Sequence, residues 1–172
     1  MSRLMTDLHP SIQNKFQELL DDIRRETGQD IKVSCTYRNK EEQEEAFEKG
    51  ASQVHYPDSA HNFMIDEKPA ALAMDIFNNV QGELYNIDWE IVKRMCQKHK
   101  VKWGGNWRRF RDKPHIYVDQ ADIEEDTFGK YKDWAIGAGL CNNSNWEKSP
   151  TKQEFIKMLN SFEKYLIRIY KI

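Results

Sequence analysis

Asp75 lies inside the apolar run ALAMDIF (residues 71–77), so a strand of that composition carries a carboxylate where water is scarce. A carboxylate there must be paired, hydrogen-bonded or metal-bound, because an isolated buried charge is too costly to keep. The chain therefore has to fold so that something meets Asp75. Two histidines are candidates. His61 stands in the loop sequence SAHNF, fourteen positions earlier, and His115 opens the apolar strand HIYV. Two histidines and a carboxylate from separate strands or their edges make a catalytic zinc set, with a fourth position left for water. His9, His55 and His99 have no such context and are assigned nothing.

Around these residues the chain reads as helices alternating with short strands. HPSIQNKFQELLDDIRRETG places Ile12, Phe16, Leu19, Leu20 and Ile23 at helical spacing, with Gly28 as a stop. DIKVSCTY is a strand of mostly β-branched character, and NKEEQEEAFEKG a polar helix capped at Gly50. A loop with Pro57 and Pro69 leads to the strand ALAMDIFN. The helix DWEIVKRMCQKHK turns Ile91, Val92 and Met95 inward. VKWGGNW is a glycine turn, and HIYVD a third strand. The composition changes near residue 127, which divides the chain into a domain over 1–127 and a helical module over 128–172.

Composition narrows the classes. With 172 residues, 39% apolar and 31% charged, the chain can bury its own core and is not a disordered or fibrous one. No apolar run approaches the roughly eighteen residues of a membrane span. MSRLMTDLHPSIQNKF lacks a secretory h-region, so a cytoplasmic chain without a signal peptide is expected. Cys35, Cys96 and Cys141 are an odd number at wide spacing, which fits reduced thiols. The net charge of −2 divides into −6 over residues 1–129 and +4 over 130–172, which suggests different partners for the two parts. NWRRFR could track phosphates, but it lies in the acidic part, so nucleic-acid binding is set aside.

Asp112 adds chemistry to the metal set. In D-x-x-H, Pro114 fixes the local turn, so Asp112 and His115 can face one cavity. A carboxylate beside a metal-bound water can take its proton and return it to a departing amine. Read without that role, Asp112 is a salt-bridge partner of Arg111 or Lys113.

These motifs resemble the M15-type zinc D,D- and L,D-peptidases, and most closely their phage endolysin branch, which cuts L-alanyl-D-glutamate bonds. Ser59, His61, Ala73 and Asp75 match S-x-H-x(2)-G-x-A-x-D, and Asp112 and His115 match [DE]-x(2)-H. TYRNKEEQEEAFEKG and WGGNWRRFRDKPH look like the same branch, so the likeness spans about residues 8–118. It implies an α+β fold with a small antiparallel sheet and packed helices. It implies Zn2+ on His61, Asp75 and His115, Asp112 as base, and Arg38 stabilising the oxyanion of the scissile carbonyl. Gln43 would bind substrate, Ser59 would support the metal loop or bind substrate, and Trp103 and Trp107 would wall the cleft. Two departures stand out: Ala71 replaces the usual glycine, and seven extra residues, Met64 to Ala70, separate His61 from Asp75. A surface loop absorbs such an insertion at small entropic cost, so the pair should still meet. The insertion could also line the cleft.

The C-terminal stretch WAIGAGLCNNSNWEKSPTKQEFIKMLNSF resembles a single S-layer-homology helix-loop-helix, and its positive balance suits anionic wall polymers. Phe155, Met158, Leu159, Phe162, Leu166 and Ile169 also form one stripe, as a dimerisation helix would. The leading expectation is an endolysin cutting the peptidoglycan stem peptide, with L-Ala–D-Glu as the expected bond, and released to the wall at lysis. A D-alanyl-D-alanine carboxypeptidase of the same fold and a non-catalytic wall-binding protein are the alternatives. A non-haem iron oxygenase shares the ligand types, but usually carries H-x-D on one strand, which is lacking here.

Overall fold

Apolar residues at three- and four-residue spacing make one face of a helix. In the computed structural model, which describes residues 1–123, Ile12, Phe16, Leu19, Leu20 and Ile23 are the buried face of helix α1 (Pro10–Thr27). The His9 side chain accepts from the Ser11 N–H at the start, and Gly28 ends the helix at a left-handed φ of 67°. Strand β1 (Ile31–Cys35) follows, then α2 (Lys40–Glu48), opened by a reciprocal capping box between Asn39 and Glu42. The C-cap of α2 is Lys49 rather than the expected Gly50, which lies one residue further at φ 71°.

A single 3-10 turn (Ala60–Asn62) precedes a tight hairpin of β2 (Met64–Ile65) and β3 (Lys68–Pro69). Then come β4 (Ala73–Asn78), α3 (Trp89–Lys98), β5 (Lys102–Trp103), a 3-10 turn (Gly104–Asn106) and β6 (His115–Tyr117). The β2–β3 hairpin falls in a stretch expected to be loop, and β5 begins where only a glycine turn was expected.

The main sheet has the order β1-β4-β6-β5 with every pair antiparallel. Because side chains alternate across a strand, β4 sends Met74 and Ile76 to one face and Asp75 to the other. Met74 is paired with Ile116 and Ile76 with Val33, so the apolar face is continuous across three strands. Helices α1 and α3 supply Phe16, Leu19, Ile23 and Val92 to the core, all fully buried along with Ile31, Met74, Ile76 and Ile116. Each contributes about 1.5–3 kcal/mol relative to exposure. Asp22 of α1 accepts from Lys98 and His99 at the end of α3, at 2.5 and 2.8 Å, which ties the two helices together.

Met1–Gln120 form one compact unit, an α+β arrangement with a small antiparallel sheet, as the sequence indicated. No described helix is long and apolar enough to cross a membrane. The boundary expected near 127 and the helical pair over 128–172 lie outside the described residues.

Candidate metal centre

Three residues of the sheet stand in one row. The register pairs Cys35 of β1 with Asp75 of β4, and Asp75 with His115 of β6. A bulge between Val33 and Cys35 in β1 makes Cys35, rather than Ser34, the residue opposite Asp75. Directly opposed residues face the same side, so the row looks away from the helices.

His61 reaches this row from the 3-10 turn, where the Ser59 hydroxyl accepts from the His61 N–H at 3.3 Å. The Arg38 N–H donates to the His61 carbonyl at 3.0 Å, and the Asn62 amide donates to the Arg38 carbonyl at 2.8 Å. The seven extra residues form most of the β2–β3 hairpin and close on themselves. Ala70 N–H donates to the Phe63 carbonyl, and Leu72 N–H to that of Ala60, so the chain returns to β4 beside its point of departure. The hairpin residues do not line the cleft. His61 and Asp75 meet: Nε2 and Oδ1 are 3.3 Å apart.

The third donor completes a triangle. His115 Nδ1 is 2.9 Å from Asp75 Oδ1 and 3.2 Å from His61 Nε2. A tetrahedral ion with bonds of 2.0–2.1 Å sets its ligands about 3.4 Å apart, so the three atoms are spaced as such a set requires. His61 Nδ1 donates to the Thr36 carbonyl at 2.6 Å, which orients the ring with Nε2 facing the other two donor atoms. Cys35 Sγ lies 3.7 Å from that same Nδ1, and Cys35, His61 and Asp75 also bring ligand atoms within 4.8 Å of one another, so a thiol adjoins the triangle. Without an ion, burial would push the His61 pKa down, but the Asp75 charge overrides it and raises it to about 10. Burial would raise the Asp75 carboxyl, and the two histidines hold it well below the usual range instead.

Asp112 lies within ligand reach of Asp75 and His115. Burial, followed by the charge of Asp75, pushes its carboxyl above the ordinary value. It makes no ion pair with Arg111 or Lys113, the partners a purely structural reading supplied. The turn carrying it is clamped from beneath. Asp112 N–H donates to the Gly104 carbonyl at 3.2 Å, and the Trp103 indole donates to the Lys113 carbonyl at 2.6 Å.

A cleft of about 280 Å3 opens over these groups, lined by Arg38, Ser59, His61, Trp107, Asp112 and His115 among others. Arg38 projects into it and also donates from Nη2 to Asp75 Oδ2 at 2.8 Å. Two expected substrate contacts do not reach the cleft. Gln43 is fully buried, its amide donating to the Ser52 hydroxyl and the Val54 carbonyl, so it props the loop that forms one wall. Trp103 is buried and stacked on Trp89, under the Asp112 turn rather than over it. The sequence reading missed Phe110 and Tyr117, which line the cleft beside Trp107. Tyr117 shares the strand face of His115, two positions on, and its hydroxyl accepts from the Trp107 indole at 3.0 Å. That period-two placement was the available signal.

A buried two-histidine, one-carboxylate centre with a second acid at its rim defines the class of site, and known proteins can be set beside it. No protein-family model matches the chain. Among curated proteins it is similar to the peptidoglycan L-alanyl-D-glutamate endopeptidase CwlK of Bacillus subtilis (strain 168). The two are 27% identical over 126 residues, covering 64% of this chain and 73% of that protein. Among solved structures, the crystal structure of the Serratia marcescens L-Ala D-Glu endopeptidase ChiX matches with a TM-score of 0.50. That match is 22% identical and covers 69% of this chain and 86% of the other, a likeness of fold.

Proposed function

We propose that this chain is a zinc-dependent peptidoglycan peptidase that hydrolyses the L-Ala–D-Glu bond of the stem peptide. The observation that carries the reading is the convergence of His61 Nε2, Asp75 Oδ1 and His115 Nδ1 to within 2.9–3.3 Å of one another beneath an open cleft. Zinc held by these three would polarise the scissile carbonyl and acidify a bound water. Asp112, with its raised pKa, takes the proton of the attacking water and delivers it to the departing amine. Arg38 faces the same space and places positive charge where the carbonyl oxygen becomes negative. Ser59 sets the turn that aims His61, while Trp107, Phe110 and Tyr117 offer an apolar wall to the substrate.

The names of the two similar proteins support the bond. A lysis role in a phage or prophage, and wall-polymer binding or dimerisation by residues 128–172, belong to the same proposal and rest on the sequence resemblance. The test is digestion of purified peptidoglycan by zinc-loaded wild type and Asp112→Ala, with new amino termini read by mass spectrometry. New D-Glu amino termini, reduced at least about 100-fold in the variant, are expected, the scale of a lost general base. Release of terminal D-Ala would move the chain to carboxypeptidase chemistry. No product from a zinc-loaded wild type would overturn the reading.

A further inference from the structure

Arg38 touches both the turn that carries His61 and the carboxylate of Asp75. Its backbone grips the His61 turn at two points, donating to the His61 carbonyl at 3.0 Å and accepting from the Asn62 side-chain amide at 2.8 Å. Its guanidinium then crosses to Asp75. The two carboxylate oxygens of Asp75 are divided: Oδ1 faces the histidine nitrogens at 2.9 and 3.3 Å, and Oδ2 accepts from Arg38 Nη2 at 2.8 Å. Both partners of this ion pair are largely buried, with side-chain exposures of 12% and 13%. Arg38 Nε is buried without a partner. The contact to Oδ2 is therefore the one side-chain hydrogen bond that fixes the guanidinium among the described residues.

We infer that Arg38 is a positioning residue that sets how Asp75 meets the metal. A carboxylate can bind through one oxygen or two. With Oδ2 engaged by a fixed cation, only Oδ1 is free to face a metal, so Asp75 would bind it through one oxygen. This inference rests on the metal-centre reading above and is separate from the positive charge Arg38 offers to substrate. Lysine cannot reproduce the planar fork, so Arg38→Lys keeps the charge while loosening the hold on Oδ2.

The test needs no substrate. Wild type, Arg38→Ala and Arg38→Lys are titrated with zinc against a chromophoric chelator, and the cobalt(II)-loaded proteins are compared by visible absorption. Circular dichroism checks that each is folded. Zinc affinity is expected to fall by about 10- to 100-fold in Arg38→Ala, the usual cost of removing a group that orients a ligand. Arg38→Lys should lie between the other two. The d–d bands of cobalt should weaken in the same order as the second oxygen joins the coordination shell. If Arg38→Ala does not fold, Arg38→Lys alone still has to shift both readouts. Folded variants matching wild type in affinity and spectrum, but slow in hydrolysis, would leave Arg38 with its substrate-facing charge only and overturn the inference. A wild type that takes up no metal would overturn the metal-centre reading, and this one with it.

Discussion

His61 and His115 reach the same carboxylate by routes built on opposite rules. The His61 route tolerates length. Its extra residues make a hairpin whose turn, Asp66 and Glu67 at φ of 47° and 63°, is exposed, and the backbone bonds at Phe63–Ala70 and Ala60–Leu72 close it off from the site. The His115 route tolerates no volume. A Cβ on Gly104 would lie 2.5 Å from the Asp112 carbonyl oxygen and 3.1 Å from His115 Cβ, and one on Gly105 would strike the Trp103 ring at 2.2 Å. A ligand loop can grow where its ends are tied by backbone hydrogen bonds. It cannot gain even a methyl group where a second backbone lies against it.

The largest effect is expected from Gly104→Ala. The Asp112–His115 turn would have to move away from the triangle, and displacements near 1 Å cost about 100-fold in rate. A loss of at least that size in peptidoglycan hydrolysis is expected, with helical content by circular dichroism unchanged. Near-normal hydrolysis would show that the turn has slack.

A perturbation of the scaffold beneath both routes should instead affect them equally. The hydrogen bonds from Lys98 and then His99 hold the Asp22 carboxyl below the ordinary carboxylate value. A carboxylate with a lowered folded-state pKa contributes its stability in full above the unfolded value near 4, and loses it as pH falls through and below that point. Wild type should therefore lose melting temperature progressively below about pH 4. Asp22→Asn should start several degrees lower at pH 7 and converge with wild type in acid, while zinc affinity at pH 7 stays the same. Melting curves that keep their separation down to pH 2 would remove Asp22 from the account.

The smallest effect is expected from deleting Met64 to Ala70, which joins Phe63 to Ala71. The deletion removes the Tyr37 hydroxyl contact to the Met64 sulfur, but none of the bonds that aim His61. Zinc affinity within about threefold of wild type is expected, since a shorter surface loop changes closure entropy by well under 1 kcal/mol. A larger loss would mean that the hairpin itself positions His61.

What the sequence showed in advance follows from the range over which each signal acts. That His61, Asp75, His115 and Asp112 come together was legible because each sits in a short motif on or beside a strand, and an apolar strand cannot hold a lone carboxylate. Helix α1 was legible because its periodicity is long. The hairpin was hidden because MIDEKP contains no glycine, and two ordinary acidic residues take positive φ there. Gln43 and Trp103 were misplaced for a related reason. A polar or aromatic side chain in a family motif can face the substrate or brace the wall behind it, and burial alone distinguishes the two. The pairing of Arg38 with Asp75 depends on the position of β1 against β4, bulge included, which no local pattern reveals.

Cys35, Asp75 and His115 stand side by side because three strands align in one register. Shifting β4 by a single residue would turn Asp75 into the apolar core and leave Met74 facing the histidines. Metal uptake at the proposed centre would thus be a checksum on folding: only a correctly aligned sheet could bind, and binding would then favour that alignment over every slipped one. With free metal at a hundred times its dissociation constant, the bias would be about 2.7 kcal/mol, large enough for a bound ion to select the fold as well as serve it.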